Sequence, residues 1–254
     1  MQLPRHEYIL AMAEIVALAA LIGRLLVSQL VGVYEFFFCY LIVDLLDTVW
    51  PFFVPFNDLY GRMYMASQVI RLCLYVLIVF ELYSILLRDL KGIARLARRY
   101  SAFALGIAIL LSLLVVTALP RQRNILRRLF YFEIPIISSL VLFMLLIAVF
   151  LTYYPVPLHR NALVYAIGYV VYFISKTTLL FMINLRLTAS LRAFSTVLLY
   201  VGLGCIVFWA VSLSRAGERR MLSVGSRWSP PERQQQVLLR LREMNDSLLR
   251  ARPK

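Results

Sequence analysis

The chain has 254 residues, of which 62% are hydrophobic and 16% charged, and its 27 Lys and Arg against 13 Asp and Glu give a net charge of +14. Soluble domains run at about 45–50% apolar and about 25% charged, so a single water-soluble core is excluded as the home of this much apolar surface. Ten of the Lys and Arg follow Ser214, so the excess belongs largely to a tail and loops, where membrane phosphates explain it more simply than nucleic acid.

The N-terminal MQLPRHE leads into a long apolar run with no small-residue cleavage site, which predicts a retained first span rather than a removed signal peptide. Seven apolar segments of spanning length follow in chain order, at 8–27, 31–55, 64–87, 102–119, 131–154, 162–184 and 194–213. The runs are continuous rather than alternating, so helices are expected and a closed barrel is excluded. Short connectors predict antiparallel neighbours. The expected architecture is all-α: a polytopic membrane protein with a seven-transmembrane-helix bundle over 1–213. Pro51 and Pro55 are expected near the end of the second span and Pro135 near the start of the fifth, where proline costs little. Cys39, Cys73 and Cys205 fall in apolar runs without CxxC spacing, which predicts buried small hydrophobes with no disulfide role.

Beyond the last span, residues 214–228 read as a basic juxtamembrane linker able to hold anionic headgroups. Residues 229–254 read as a cytoplasmic amphipathic helix. Ser229 caps it, Pro230 suits the first turn and Glu232 follows three after the cap. Val237, Leu241, Met244 and Leu248 form its apolar stripe, a surface for docking on a partner, the membrane or the protein itself. With the C-terminus inside, eleven Lys and Arg fall on the inner loops and near tail against eight outside, which predicts an outside N-terminus and a cytoplasmic C-terminus. The stretch PRQRNILRR (120–128) runs against that orientation.

Nucleotide-binding, nucleophile-elbow and HExxH motifs are absent, and the two histidines, His6 and His159, lie outside the spans. No metal, haem or other cofactor is expected. Residues 194–213 contain no Lys, so the Schiff-base lysine of a microbial retinal protein is missing. What remains is charge at membrane depth: Glu14, Asp44, Asp47, Arg71, Glu81 and Lys176. Such residues need partners or water and mark functional sites. The second and third spans form a hairpin centred near 59–60. Asp47 and Arg71 each stand about 12 residues from its centre, so a rise of about 1.5 Å per residue brings them to one depth. Asp44 shares a face with Asp47. Glu14, Asp44, Asp47, Gln68, Arg71 and Lys176 are thus expected in one cluster in the outer half, as a charge-paired plug or a solvated site. Glu81 is expected with Arg88 in a network at the inner end.

The segments VFELYSILLRDLKGIARLARR (79–99) and YEFFFCYL (34–41), with the tail PPERQQQVLLRLREMNDSLLRA, resemble a pattern of uncharacterised seven-span bacterial integral membrane proteins. The chain departs from it at Gln68, where an acid is expected. The bundle is also similar to seven-helix bacterial sensor modules. The resemblance implies the bacterial inner membrane and brings no activity with it. A non-enzymatic sensor or interaction protein is the expected function, with a cytoplasmic protein partner on the tail helix. A small transporter or channel using the charged cluster is the alternative, and a lipid-directed enzyme ranks last.

Overall fold

The computed structural model describes residues 5–53, 58–88, 125–153, 157–184, 191–223, 239–241 and 243–247, with scattered positions between 95 and 114. Helix α1 spans Arg5–Val27, α2 Glu35–Val49, α3 Asp58–Leu86, α4 Ile125–Tyr153, α5 Arg160–Asn184 and α6 Leu191–Ser212. A 3₁₀ turn, Trp50–Phe52, follows α2. A five-residue helix α7 (Arg215–Arg219) and two short strands, β1 (Pro157–His159) and β2 (Met221–Ser223), complete the described elements. The strands pair antiparallel, with Leu158 opposite Leu222.

Among the described residues, four helices are long and apolar enough to cross a membrane, over 8–27, 61–86, 133–151 and 160–182. The apolar helix over 196–212 is shorter. Apolar side chains lie exposed on several helices, among them Ile9, Val16, Leu46, Leu142, Val171 and Val211. Water would penalise such a surface and lipid would not, so the chain is read as a helical membrane protein. Half of the segment expected as a fourth span, 102–119, is described, at 102–107, 109–110 and 114, and all of it is helical; the other half lies outside the described residues.

Three expectations are corrected in detail. The second span is shorter than 31–55, because residues 28–34 form turns with Gln29 at φ 56° and α2 ends before Trp50-Pro51. Pro lacks the N–H that would continue the ladder there. The fifth segment is longer than 131–154 at its start: the helix begins at Ile125, inside the basic stretch 120–128, and Pro135 lies within it rather than at its entry. Of the cysteines only Cys205 is buried; Cys39 and Cys73 are exposed, and all three are free.

The helices form a closed ring. Each of α1 to α6 packs on the next, α6 returns to α1, and α3 also meets α5 across the interior. Tyr83 of α3 donates to the Phe143 carbonyl of α4 at 3.1 Å. The interior is strongly aromatic. Tyr34, Phe37, Tyr75, Tyr165, Tyr169, Phe173 and Trp209 are all buried. One column of rings runs Tyr40–Tyr169–Trp209–Phe37–Tyr165–Tyr34, with centroids 4.7–6.4 Å apart. Edge and tilted contacts at these distances each add about 0.5–1.5 kcal/mol beyond area burial.

Gly168 makes the column possible. A Cβ on Gly168 would collide with the indole of Trp209, and that indole is backed by Phe37 and Tyr169. Gly168→Ala is therefore expected to cost about 1–3 kcal/mol as an overpacking change. Gly204→Ala on α6, where a Cβ meets nothing within 4 Å, should be neutral or mildly stabilising. Thermal unfolding of both variants in detergent checks the contrast.

Candidate functional site

Charged residues gather in the half of the ring near the end of α2. Asp44 and Asp47 stand one turn apart on α2, and Arg71 faces them from α3. The Arg71 Nε donates to Asp47 Oδ2 at 2.6 Å, and its Nη2 also contacts that oxygen. Its Nη1 stands 3.5 Å from Asp44 Oδ1. The guanidinium fork thus spans two carboxylates, as five fixed donors permit. Asp44 is nearly buried, and Thr48 donates to its main-chain carbonyl at 2.8 Å.

Beside this fork lies a cavity of about 160 Å³. Its walls carry Glu14 from α1, Tyr40 and Asp44 from α2, Arg71 from α3 and Tyr172 from α5. Helix α6 closes it with Leu198, Leu199, Gly202, Ile206 and Trp209. Glu14 forms no ion pair among the described residues. Gln68 is half-buried one turn before Arg71 and is not among the lining residues. The indole N–H of Trp209 and the phenol of Tyr169 are buried and have no hydrogen-bond partner among the described residues.

Lys176 stands beside the Asp44–Arg71 group but makes its ion pair elsewhere. Its ammonium pairs with Glu133 Oε1 at 2.6 Å and sits 4.8 Å over the ring of Tyr75. It also reaches the Tyr75 hydroxyl at 3.5 Å. That hydroxyl is 3.0 Å from the hydroxyl of Tyr172, a wall of the cavity. A chain of polar groups therefore runs from the cavity through Tyr172, Tyr75 and Lys176 to Glu133. Glu133 escaped the sequence reading because the fifth span was drawn from 131, which left it at a helix end. With α4 starting at Ile125 it lies more than two turns inside.

At the other end of the ring, Glu81 sits in a polar network, without Arg88 in it. It accepts the Phe36 backbone N–H at 3.0 Å and the Tyr165 hydroxyl at 3.0 Å, while Arg88 is exposed and pairs with nothing among the described residues. Tyr34, the residue before α2, makes no side-chain cap. A carboxylate from α3 thus satisfies an orphan donor at the positive end of α2. The α6 end is treated in the same way: Arg24, in the last turn of α1, donates to the Val211 carbonyl at 3.1 Å.

Part of the expected basic linker is folded into a cap on this end. Ser214 accepts the Gly217 N–H through its hydroxyl at 3.1 Å and so caps α7. Asn161, fully buried, donates to the Ser214 carbonyl at 2.7 Å and accepts the Ser214 N–H at 3.3 Å, pairing with it as a strand would. Glu218 accepts from Tyr34 and from Asn161, each at 3.2 Å, and its carbonyl accepts from His159 Nδ1 at 2.6 Å. None of these long-range partners leaves a local sequence signal. Among the tail positions expected in the docking stripe, Leu241 is 3% exposed and belongs to the core, whereas Met244 is 57% exposed. Leu241 and Asn245, one turn apart, are the buried face, so Leu241 is occupied by this chain and the stripe does not run through Met244. Val237 and Leu248 lie outside the described residues.

Among the described residues no group of His, Cys, Asp or Glu could hold a metal ion. No family model, curated protein or solved structure matches the chain.

Proposed function

We propose that this chain is a non-enzymatic membrane receptor that binds a small polar ligand in the cavity and relays its occupancy to the capped end of the ring. The observation that carries the reading is the cavity itself, with Glu14, Asp44 and Arg71 set among aromatic and apolar walls. A few convergent polar groups in an otherwise apolar hollow are the usual make-up of a ligand site. The aromatic column joins it to the cap, since Tyr40 and Trp209 line the cavity while Tyr34 and Tyr165 bond to Glu218 and Glu81. Seven spans in a bacterial inner membrane, with a cytoplasmic C-terminus, are part of this proposal. So are anionic headgroups on the basic face and a cytoplasmic protein partner for the tail.

A library of polar compounds of up to about ten heavy atoms tests it. One member should stabilise the wild type by about 2.7 kcal/mol at a hundredfold excess over Kd, seen as a higher melting temperature. It should leave Gly202→Val unmoved, because that branched side chain would enter the cavity beside Tyr172. The same compound should alter amide exchange over 221–223. A library without a stabiliser, or a stabiliser equally effective on Gly202→Val, would refute the receptor.

A second reading, proton-coupled transport, is favoured by the Tyr172–Tyr75–Lys176–Glu133 chain, since relays of ionisable groups mark proton paths in membranes. Proton flux into proteoliposomes would support it over simple binding.

A further inference from the structure

The receptor reading leaves the chemistry of the ligand open, and the charge balance around the cavity narrows it. Among the described side chains deep in this half of the ring, Glu14, Asp44, Asp47 and Glu133 stand with Arg71 and Lys176, while Arg62 lies exposed nearer the start of α3. Lys176 is taken by Glu133 at 2.6 Å. Arg71 commits its Nε and Nη2 to Asp47 and leaves only Nη1, at 3.5 Å, for Asp44. Asp47 is not on the cavity wall, but Asp44 and Glu14 are. Two carboxyl groups without a close cation of their own therefore face the hollow, and a carboxylate held away from bulk water is costly without a positive partner.

The remaining walls match that excess. Tyr40, Tyr172 and Trp209 are aromatic residues lining the same space. Aromatic faces attract a desolvated cation through their quadrupole, Trp most strongly. Lys176 over the Tyr75 ring shows this contact already in use next door. Leu198, Leu199 and Ile206 supply apolar contact. Carboxylates, aromatic faces and aliphatic side chains together suit an organic ammonium better than a hydrated metal ion, which would demand more oxygen ligands. Size agrees, because a cavity of about 150 Å³ accepts benzene and this one measures about 160 Å³.

We infer that the cavity binds a small organic ammonium ion, its charge facing Glu14 and Asp44 and its carbon groups against Tyr40, Tyr172 and Trp209. The inference rests on the receptor reading and deepens it. Binding needs no covalent step.

Purified protein in detergent is titrated with choline, with its neutral carbon isostere dimethylbutanol, with acetate and with sodium chloride, following tryptophan fluorescence and melting temperature. Choline should bind saturably and the isostere should not. Glu14→Gln, which breaks no ion pair, should keep the wild-type fold and weaken choline by about tenfold, the loss expected for one charged contact. Equal binding of choline and dimethylbutanol would overturn the inference and leave the receptor standing. So would binding of acetate or sodium alone, or of a neutral or anionic compound from the polar library where choline and other ammonium ions do not bind. Silence from these probes and from the whole library would bring down the receptor with it.

Discussion

Arg71→Gln is expected to be the most damaging single substitution in the ring, lowering stability by about 3–5 kcal/mol. It removes the one cation shared by Asp47 and Asp44 and leaves two carboxylates without it, Asp44 among them buried. Asp47→Asn should cost less. It strips the guanidinium of its closer partner but leaves Asp44 within 3.5 Å. The pair is therefore expected to couple. Asp47→Asn with Arg71→Gln should recover part of the loss, and adding Asp44→Asn should recover more, because no uncompensated charge of the trio then remains. Folded yield and unfolding midpoints of the single, double and triple variants measure this directly. Simple additivity across the set would show that the fork contributes nothing as a unit.

Lys176→Met should come second, with a loss of about 3–5 kcal/mol, because it leaves the Glu133 carboxylate buried without its ammonium. The joint change Lys176→Met and Glu133→Leu removes both charges and is expected to regain the loss, since well-packed apolar replacements of buried ion pairs are often neutral or stabilising. Unfolding midpoints of the single and double variants decide it: a double variant as unstable as Lys176→Met alone would mean that the pair is not what holds α4 to α5 at this depth. The double variant also separates the two functional readings. It cuts the polar chain at Lys176 without altering the cavity wall, so ligand binding should survive while any proton flux should stop.

The pattern of polar residues explains how the ring is held. Apolar packing supplies area but little direction in lipid, where helix faces and acyl chains are alike. Direction comes from specific contacts: the Arg71 fork joins α2 to α3, Lys176–Glu133 joins α5 to α4, Glu81 joins α3 to α2 and α5, and Arg24 joins α1 to α6. Each pins two or more helices at one height. Such polar contacts are best attested where they fix register.

How much of this was legible beforehand depended on the range over which each signal acts. Apolar runs longer than a membrane is thick determined the class without any tertiary information. So did the helical character of the runs, because an unpaired backbone cannot rest in lipid. The meeting of Asp47 with Arg71 was also within reach, since a hairpin and a constant rise per residue convert sequence offset into depth. Counting missed Glu133, which stands two positions past the start of the segment drawn from 131 but eight past the start of α4 at Ile125. It was silent where the partner lay on an element far along the chain. Glu81 as the cap of α2, Asn161 pairing with Ser214, and Glu218 held by Tyr34 and Asn161 are separated by 45, 53, 184 and 57 positions. Periodicity reports which face of a helix is apolar; it carries no information on which helix that face will meet. That choice was made only when α6 closed the ring on α1, which brought Glu14, Asp44, Arg71 and Trp209 around one hollow.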